Sequence, residues 1–226
     1  MKTWMASAFC LLAILIACSC SSGMESDIAG EGTLRVLPIE VRADSSVELL
    51  TRAVDEALQV DIMQGSTVVR TYQAGSEELD ALISLPVGSY TLYAHTPYMG
   101  EAPSGEQGTA TYAVSRDFQI RSGQTTTLGN LQAAQSNVGL FLQYQAEDFA
   151  AAFPTLVCTI TSPSTGRTVE VTGTDNKELS YFNVPTDGVL QYSFVATNAD
   201  GETFQSAVKS IRVSEAKNFY LLIGWD

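Results

Sequence analysis

The apolar positions of this chain alternate. Leu58, Val60 and Ile62 share one face, and so do Tyr90, Leu92 and Ala94. Val138, Leu140 and Leu142 repeat the pattern, as do Tyr192, Phe194 and Ala196. Period-two alternation in short runs between turn residues predicts half-buried strands. Many such runs predict β-sandwiches rather than βαβ units, so the fold class is all-β. Two segments depart from the rhythm. Glu147 to Phe153, stopped by Pro154, predicts one or two helical turns. Ser76 to Leu82 reads equally as a helix start or as a strand edge. Pro38 removes a ladder donor from the first strand and predicts an edge or a bulge there. The run Phe219 to Ile223 is apolar on both faces, which predicts a central strand covered on both sides.

The two halves of the chain match in order. Val60-Asp61-Ile62-Met63 parallels Cys158-Thr159-Ile160-Thr161, and Leu85-Pro86-Val87-Gly88 running into Tyr90 parallels Val184-Pro185-Thr186-Asp187-Gly188 running into Tyr192. Ala113-Val114 through Ile120 parallels Ala207-Val208 through Val213, and Thr125 to Leu128 parallels Asn218 to Leu221. Four collinear matches predict two copies of one sandwich-like unit, over residues 33–132 and 137–226. The short segment from Gln132 to Ser136 between them predicts units that touch. Within the first unit, Pro86-x-Gly88 predicts a turn in which glycine supplies a positive φ. Residues 97–108, rich in Gly and Pro, predict a long exposed loop. At the matching place the second unit has only Asn198-Ala199-Asp200-Gly201, a tight hairpin turn.

The N-terminus changes the picture. Lys2 precedes an apolar stretch from Ala6 to Ala17 that ends in Leu15-Ile16-Ala17-Cys18. This is a secretory signal peptide over residues 1–17, and its end resembles a bacterial lipobox. Cys18 is then the lipidated first residue of the mature protein. The stretch is shorter than the roughly 20 residues that span a bilayer. Several acyl chains hold a protein to a membrane stably where one does not. Residues 18–32, small and polar, predict a flexible tether. The formal charge is −13, with 12 basic against 25 acidic residues, and no Lys/Arg cluster could neutralise a phosphate backbone, so nucleic acid is a poor match as partner.

Candidate chemistry is sparse. Of the four cysteines, Cys10 leaves with the leader, Cys18 is lipidated, Cys20 lies in the tether and Cys158 sits on an apolar strand face. That leaves no disulfide framework and no metal-spaced set. The single histidine, His95, predicts a partly exposed strand-end residue rather than a catalyst or ligand. No Gly-x-Ser-x-Gly elbow occurs, and nothing in the sequence pairs Asp80, Glu101 or Asp117 as glycosidic carboxylates. The expectation is a protein that is not an enzyme and takes no cofactor or metal. Tyr93, Tyr98 and Tyr112 flank the long loop and are candidate ligand contacts, because exposed tyrosines stack on sugar rings. The alternative is that Tyr93 and Tyr112 pack against each other as cross-strand partners.

A family resemblance rests on Gly32-Thr33-Leu34-Arg35-Val36, Thr51-Arg52-Ala53, Leu85-Pro86-Val87-Gly88-Ser89-Tyr90-Thr91, Pro97-Tyr98-Met99-Gly100, and Phe118-Gln119-Ile120 with Gly123-Gln124-Thr125-Thr126-Thr127. With the lipobox and the duplicated unit, the chain resembles Bacteroidetes outer-membrane lipoproteins whose repeated domain has no known function. That domain is similar to fimbrillin-type pilus and adhesin subunits. The resemblance implies two tandem transthyretin-like, Greek-key β-sandwiches anchored by lipid in the outer membrane, at the cell surface. It implies a structural or adhesive role, as a fimbrillin-like subunit or pilus anchor. Such subunits are often cut after an arginine near the first strand, and another subunit's strand fills the groove, while anchor-type members keep both the strand and the lipid. Arg52 before Ala53 is the matching candidate. The partners implied are the membrane, other subunits by strand addition and, on the tyrosine reading, a glycan.

Overall fold

The computed structural model describes residues 30–42, 58–144, 147–173 and 178–223. The candidate positions Cys18, Arg52 and Ala53 lie outside the described residues.

The first half contains β1 (Glu31–Val36), β2 (Ile39–Arg42), β3 (Gln59–Gln64), β4 (Thr67–Gln73), the helical turn α1 (Glu77–Asp80), β5 (Ile83–Pro86), β6 (Gly88–His95), β7 (Tyr112–Ile120), β8 (Thr125–Leu128) and β9 (Leu131–Gln135). A three-stranded sheet runs β5-β1-β8 and a six-stranded sheet runs β2-β9-β7-β6-β3-β4. In the small sheet β1 is antiparallel to β5 and parallel to β8. Leu34, Val36, Ile83, Leu85 and Leu128 from the small sheet meet Val60, Ile62, Leu92, Phe118, Ile120 and Leu131 from the large one in a single core. Ser76 settles the ambiguous segment as helix. Its hydroxyl accepts the Leu79 N–H at 3.3 Å, an N-cap that satisfies one orphan donor.

Pro38 marks a change of sheet. The chain leaves the small sheet after Val36 and joins the large one at Ile39. No ladder bond is asked of the proline there. The expected single strand, edge or bulged, is therefore two strands: β1 is central in its sheet and β2 is an edge of the other. Gly88 also departs from expectation. Among the described residues its φ is not positive, while Gly188 at the matching turn has φ +66°. A Cβ at Gly88 would meet the flexible end of Gln64 at 3.3 Å and the Tyr90 ring at 3.4 Å, contacts that a side chain tolerates, so neither turn geometry nor packing demands glycine there.

The second half contains β10 (Asn137–Tyr144), α2 (Glu147–Ala152), β11 (Thr155–Thr161), β12 (Thr168–Thr172), β13 (Ser180–Asn183), β14 (Val189–Thr197), β15 (Thr203–Gln205), β16 (Lys209–Arg212) and β17 (Asn218–Ile223). Its small sheet runs β13-β10-β17, with β10 antiparallel to β13 and parallel to β17. Its larger sheet runs β12-β11-β14-β15, and β16 also pairs β14. A second core gathers Val138, Leu140, Phe182 and Ile223 from the small sheet with Leu156, Cys158, Ile160, Val169 and Leu190 from the larger. Cys158 is fully buried, and burial pushes its thiol up to about 12. The predicted helix is α2, and Pro154 follows its end.

The C-terminal strand corrects another expectation. Among the described residues β17 pairs only with β10, so it is an edge and not a central strand. Leu221 and Ile223 enter the core, while Tyr220 is 47% exposed and Leu222 56% exposed. Among the described residues no helix is long and apolar enough to cross a membrane.

Candidate functional site

The site is built where the two halves meet. Residues 97–110 connect β6 to β7 and run over the second half as a strap. Backbone bonds hold it. Gly105 donates to the Thr168 carbonyl at 2.9 Å, and Tyr181 donates to the Gln107 carbonyl at 2.7 Å. Side chains add to this: the Asn183 N–H donates to Glu101 Oε1 at 3.2 Å, and the Thr168 N–H donates to the Ser104 hydroxyl at 3.1 Å. The expected exposed loop of the first half is thus a clamp on the second. Its backbone groups find partners on strands that lie some sixty or more residues away in sequence.

Arg167 ties the clamp down. It precedes β12 and is only 4% exposed. One guanidinium nitrogen donates to the Tyr181 carbonyl and another to the Glu106 carbonyl, each at 2.6 Å. The guanidinium also lies 4.4 Å from the Phe182 ring centroid. Burial lowers its pKa, opposed by the carboxylates of Glu101 and Glu106. One planar fork so bridges strap and strand, a task its rigid geometry suits. Beside it, buried Asn137 accepts the Thr111 N–H at 3.1 Å and donates to the Thr109 carbonyl at 2.8 Å. Gln135 donates to the Asn137 carbonyl at 2.9 Å and to Asn218 Oδ1 at 3.0 Å. The segment between the halves therefore contains a strand, β9, and is hydrogen-bonded along its length.

Strap and second half leave a cleft of about 280 Å³ between them, lined by Tyr98, Glu101, Asn137, Tyr181 and Asn183 among others. Tyr98 is 64% exposed, and its hydroxyl donates to the Glu101 carbonyl at 3.3 Å. A Cβ on Gly100 would come within 2.6 Å of that hydroxyl, so the ring lies directly across the glycine. Burial pushes the Tyr181 phenol up to about 12, with a contribution from Tyr112.

The three tyrosines singled out from sequence part company. Tyr98 lines the cleft. Tyr112 is 5% exposed, in the first core and close to Tyr181. Tyr93 lies on the outward face of the six-stranded sheet, stacked on His95 with centroids 4.6 Å apart. It pairs with Ser115 across β7 and not with Tyr112.

His95 is buried at 8% exposure rather than partly exposed. Its Nδ1 donates to the Thr96 carbonyl at 2.7 Å, and its Nε2 stands 3.3 Å from Asp61 Oδ2. Both neighbours are acceptors. Asp61 also accepts from Thr71 at 2.7 Å and from Gln59. Burial raises the Asp61 pKa, but the bonds from Thr71, His95 and Gln59 outweigh it, and the net shift is downward. Among the described residues no group of three or more His, Cys, Asp or Glu side chains is placed to hold a metal.

Arg167, Asn137, Tyr181 and Asn183 were not distinguished by sequence. The one available signal was scarcity: only two arginines, Arg167 and Arg212, follow residue 136 in an acidic chain.

The chain belongs to the family described as Domain of unknown function (DUF4493), which matches residues 30–223. No curated protein matches it. Among solved structures it is similar to a candidate adhesin from Bacteroides ovatus, at 11% identity and a TM-score of 0.42, covering 88% of this chain and 93% of that one. It is also similar to a fimbrilin from Porphyromonas gingivalis, at 10% identity and a TM-score of 0.35, covering 76% and 73%. A candidate polysaccharide-binding protein from Bacteroides thetaiotaomicron matches at 12% identity and a TM-score of 0.37, covering 76% and 78%.

Proposed function

We propose that this member of the family is a lipid-anchored cell-surface protein with a structural or adhesive role, a fimbrillin-like subunit or pilus anchor. It works by protein contact and not by catalysis. Cys18 carries the lipid at the outer membrane. The body is a tandem of two transthyretin-like sandwiches from one duplicated unit. Support for the duplication is the shared order: in each half the first strand is central in a three-stranded sheet, antiparallel to one neighbour and parallel to the other.

The observation that carries the contact reading is the C-terminal edge. β17 offers a sheet edge with the exposed apolar side chains Tyr220 and Leu222 beside Phe141. Natural sheets blunt such edges with charge or proline, and this one instead suits strand addition. Cleavage after Arg52 would detach β1, whose Leu34 and Val36 plug the first core, and a partner's strand would then have to replace it. Mass spectrometry of the native N-terminus is expected to find lipidated Cys18 for an anchor, or Ala53 with ladders of linked subunits on unboiled gels for a polymerising subunit. An unmodified N-terminus at any other position, in a protein shielded from protease added to intact cells, overturns the proposal.

A second reading is favoured by one observation, the exposed Tyr98 at the mouth of the strap cleft. On it the protein is a surface glycan-binding lipoprotein. Binding of the full chain to a glycan array is then expected. An array without bound glycans sets this reading aside.

A further inference from the structure

We infer that the strap cleft takes one pyranose ring of a neutral glycan, with Tyr98 as its stacking platform and Glu101 as acceptor for a pair of vicinal hydroxyls. This inference rests on the glycan-binding reading and gives it a place.

Size is the first argument. At about 280 Å³ the cleft falls just below the roughly 300–1,000 Å³ of pockets that enclose drug-sized ligands, so it admits a single ring and not a chain. Preorganisation is the second. An exposed tyrosine ordinarily samples several rotamers, and ordering it opposes binding. Here the hydroxyl bond to the Glu101 carbonyl and the glycine beneath the ring fix Tyr98 before any ligand arrives. A flat, amphipathic face held in place is what the apolar face of a sugar stacks on.

The polar groups converge on the same space. One Glu101 oxygen is held by the Asn183 N–H, which aims the carboxylate while its other oxygen makes no hydrogen bond among the described residues. A carboxylate has lone pairs enough to accept from two neighbouring hydroxyls. Asn183 also lines the cleft, and its side-chain amide carries both donors and an acceptor. Charge selects among sugars. Glu101 and Glu106 both line the cleft, while the nearby cation Arg167 is engaged by the Tyr181 and Glu106 carbonyls. An acidic sugar meets net repulsion there; a neutral one does not.

The test uses saturation-transfer NMR on the full chain with methyl β-glucopyranoside, methyl β-galactopyranoside, methyl α-mannopyranoside and glucuronate as probes. At least one neutral pyranoside is expected to bind, and glucuronate to bind more weakly. Tyr98→Ala should weaken that binding at least about tenfold. Gly100→Ala keeps the ring but displaces it, and should weaken binding as well. Glu101→Gln preserves the acceptor for Asn183 and should cost several-fold. Tyr98→Ala and Gly100→Ala should keep the parent's thermal midpoint, since both residues are exposed, and Glu101→Gln should stay close to it, since the acceptor for Asn183 is kept. If a neutral pyranoside binds the parent and both the Tyr98 and Gly100 variants equally, the cleft is wrong and the glycan reading survives elsewhere on the surface. If no neutral sugar binds, alone or on an array, both fall. If glucuronate binds as tightly as the neutral sugars, the assignment of ligand class is overturned.

Discussion

The two halves of the molecule share a strand arrangement and differ at the connection between equivalent strands. β6 reaches β7 through the strap of residues 97–110. β14 reaches β15 through a hairpin closed by Asn198 and Glu202, with Gly201 at φ +84°. The hairpin does nothing beyond reversing the chain. The strap reverses the chain, fastens the halves together and walls a cleft. Loop length enters folding entropy only logarithmically, so a long connection is tolerated cheaply, and it becomes useful once its backbone finds partners. Here those partners are supplied by the other half, through β12, β13 and Arg167. A second contrast lies at the sheet edges. β8 exposes threonine hydroxyls, with Thr126 donating to the Gln119 carbonyl, while β17 exposes Tyr220 and Leu222. One unit has a quiet edge and the other an apolar one.

The sharpest way to break this comparison is to cut the fork. Arg167→Ala leaves the Tyr181 and Glu106 carbonyls without their charged donor and strips the cation from Phe182. Hydrogen bonds to charged groups contribute about 1.5–3 kcal/mol each. A loss of about 3 kcal/mol is expected in urea unfolding, with the single transition splitting into two as the halves lose their coupling. Arg167→Lys should recover part of the loss, because a point charge reaches one carbonyl but cannot bridge two. A single unsplit transition in the alanine variant would mean that the strap does not couple the halves. Next in size is Asn137→Leu. It orphans the Thr111 N–H and the Thr109 carbonyl at the strap's return, at about 2 kcal/mol by the same measurement.

Much of this was legible in the sequence, and what was not has physical causes. The strands were readable because one face of each is buried and period two follows from that. The positions Leu58, Val60, Ile62 and Val138, Leu140, Leu142 all enter cores. β17 misled because apolarity on both faces does not say which edges are paired, and it does not guarantee that both faces are covered: Tyr220 and Leu222 stay exposed. Which strand pairs with which is not a local property. The strap misled for a related reason. Gly and Pro reported an irregular backbone correctly, yet its fastenings are main-chain groups and one distant arginine, which impose no pattern on the loop itself. His95 misled because a polar residue at a strand end usually meets water. Asp61 and the ring of Tyr93 shield it instead. Of the cleft, Tyr98 was visible beforehand through being aromatic in a polar loop, and Glu101 only as a carboxylate that nothing in the sequence pairs.

A smaller effect tests the same asymmetry through pH. The Asp61–His95 pair stands at the root of the strap, and the second half has Thr197 where the first has His95 after the matching alanine. The native Asp61 carboxyl titrates below its ordinary 3.8, because the bonds from Thr71, His95 and Gln59 outweigh burial. A group with a depressed native pKa binds fewer protons folded than unfolded. Its contribution is therefore present above the unfolded value and disappears as pH falls through the native one. Asp61→Asn should flatten the acid limb of the stability curve. Hydrogen exchange should place the acid-induced opening of the parent in β3 and β6, and not in β11 and β14. Equal opening of both halves would deny that the asymmetry has an electrostatic side.

The smallest effect is the most direct comparison of the two connections. Two residues, Gly-Ser, inserted after Asp200 lengthen a turn whose bonds are local and exposed. The cost should be about 0.5 kcal/mol or less, the logarithmic cost of a longer loop plus a frayed turn. The same insertion after Gly105 lies between two fastened points, Gly105 to Thr168 and Gln107 to Tyr181. It throws them out of register and pulls Glu106 away from Arg167. One sequence change of identical length and composition should thus be nearly silent in the hairpin and clearly destabilising in the strap. Both variants share the same added chain entropy, so the difference between them measures the fastenings alone. If the two insertions cost the same, the strap is a passive loop resting on its neighbour, and the division of labour between the halves fails.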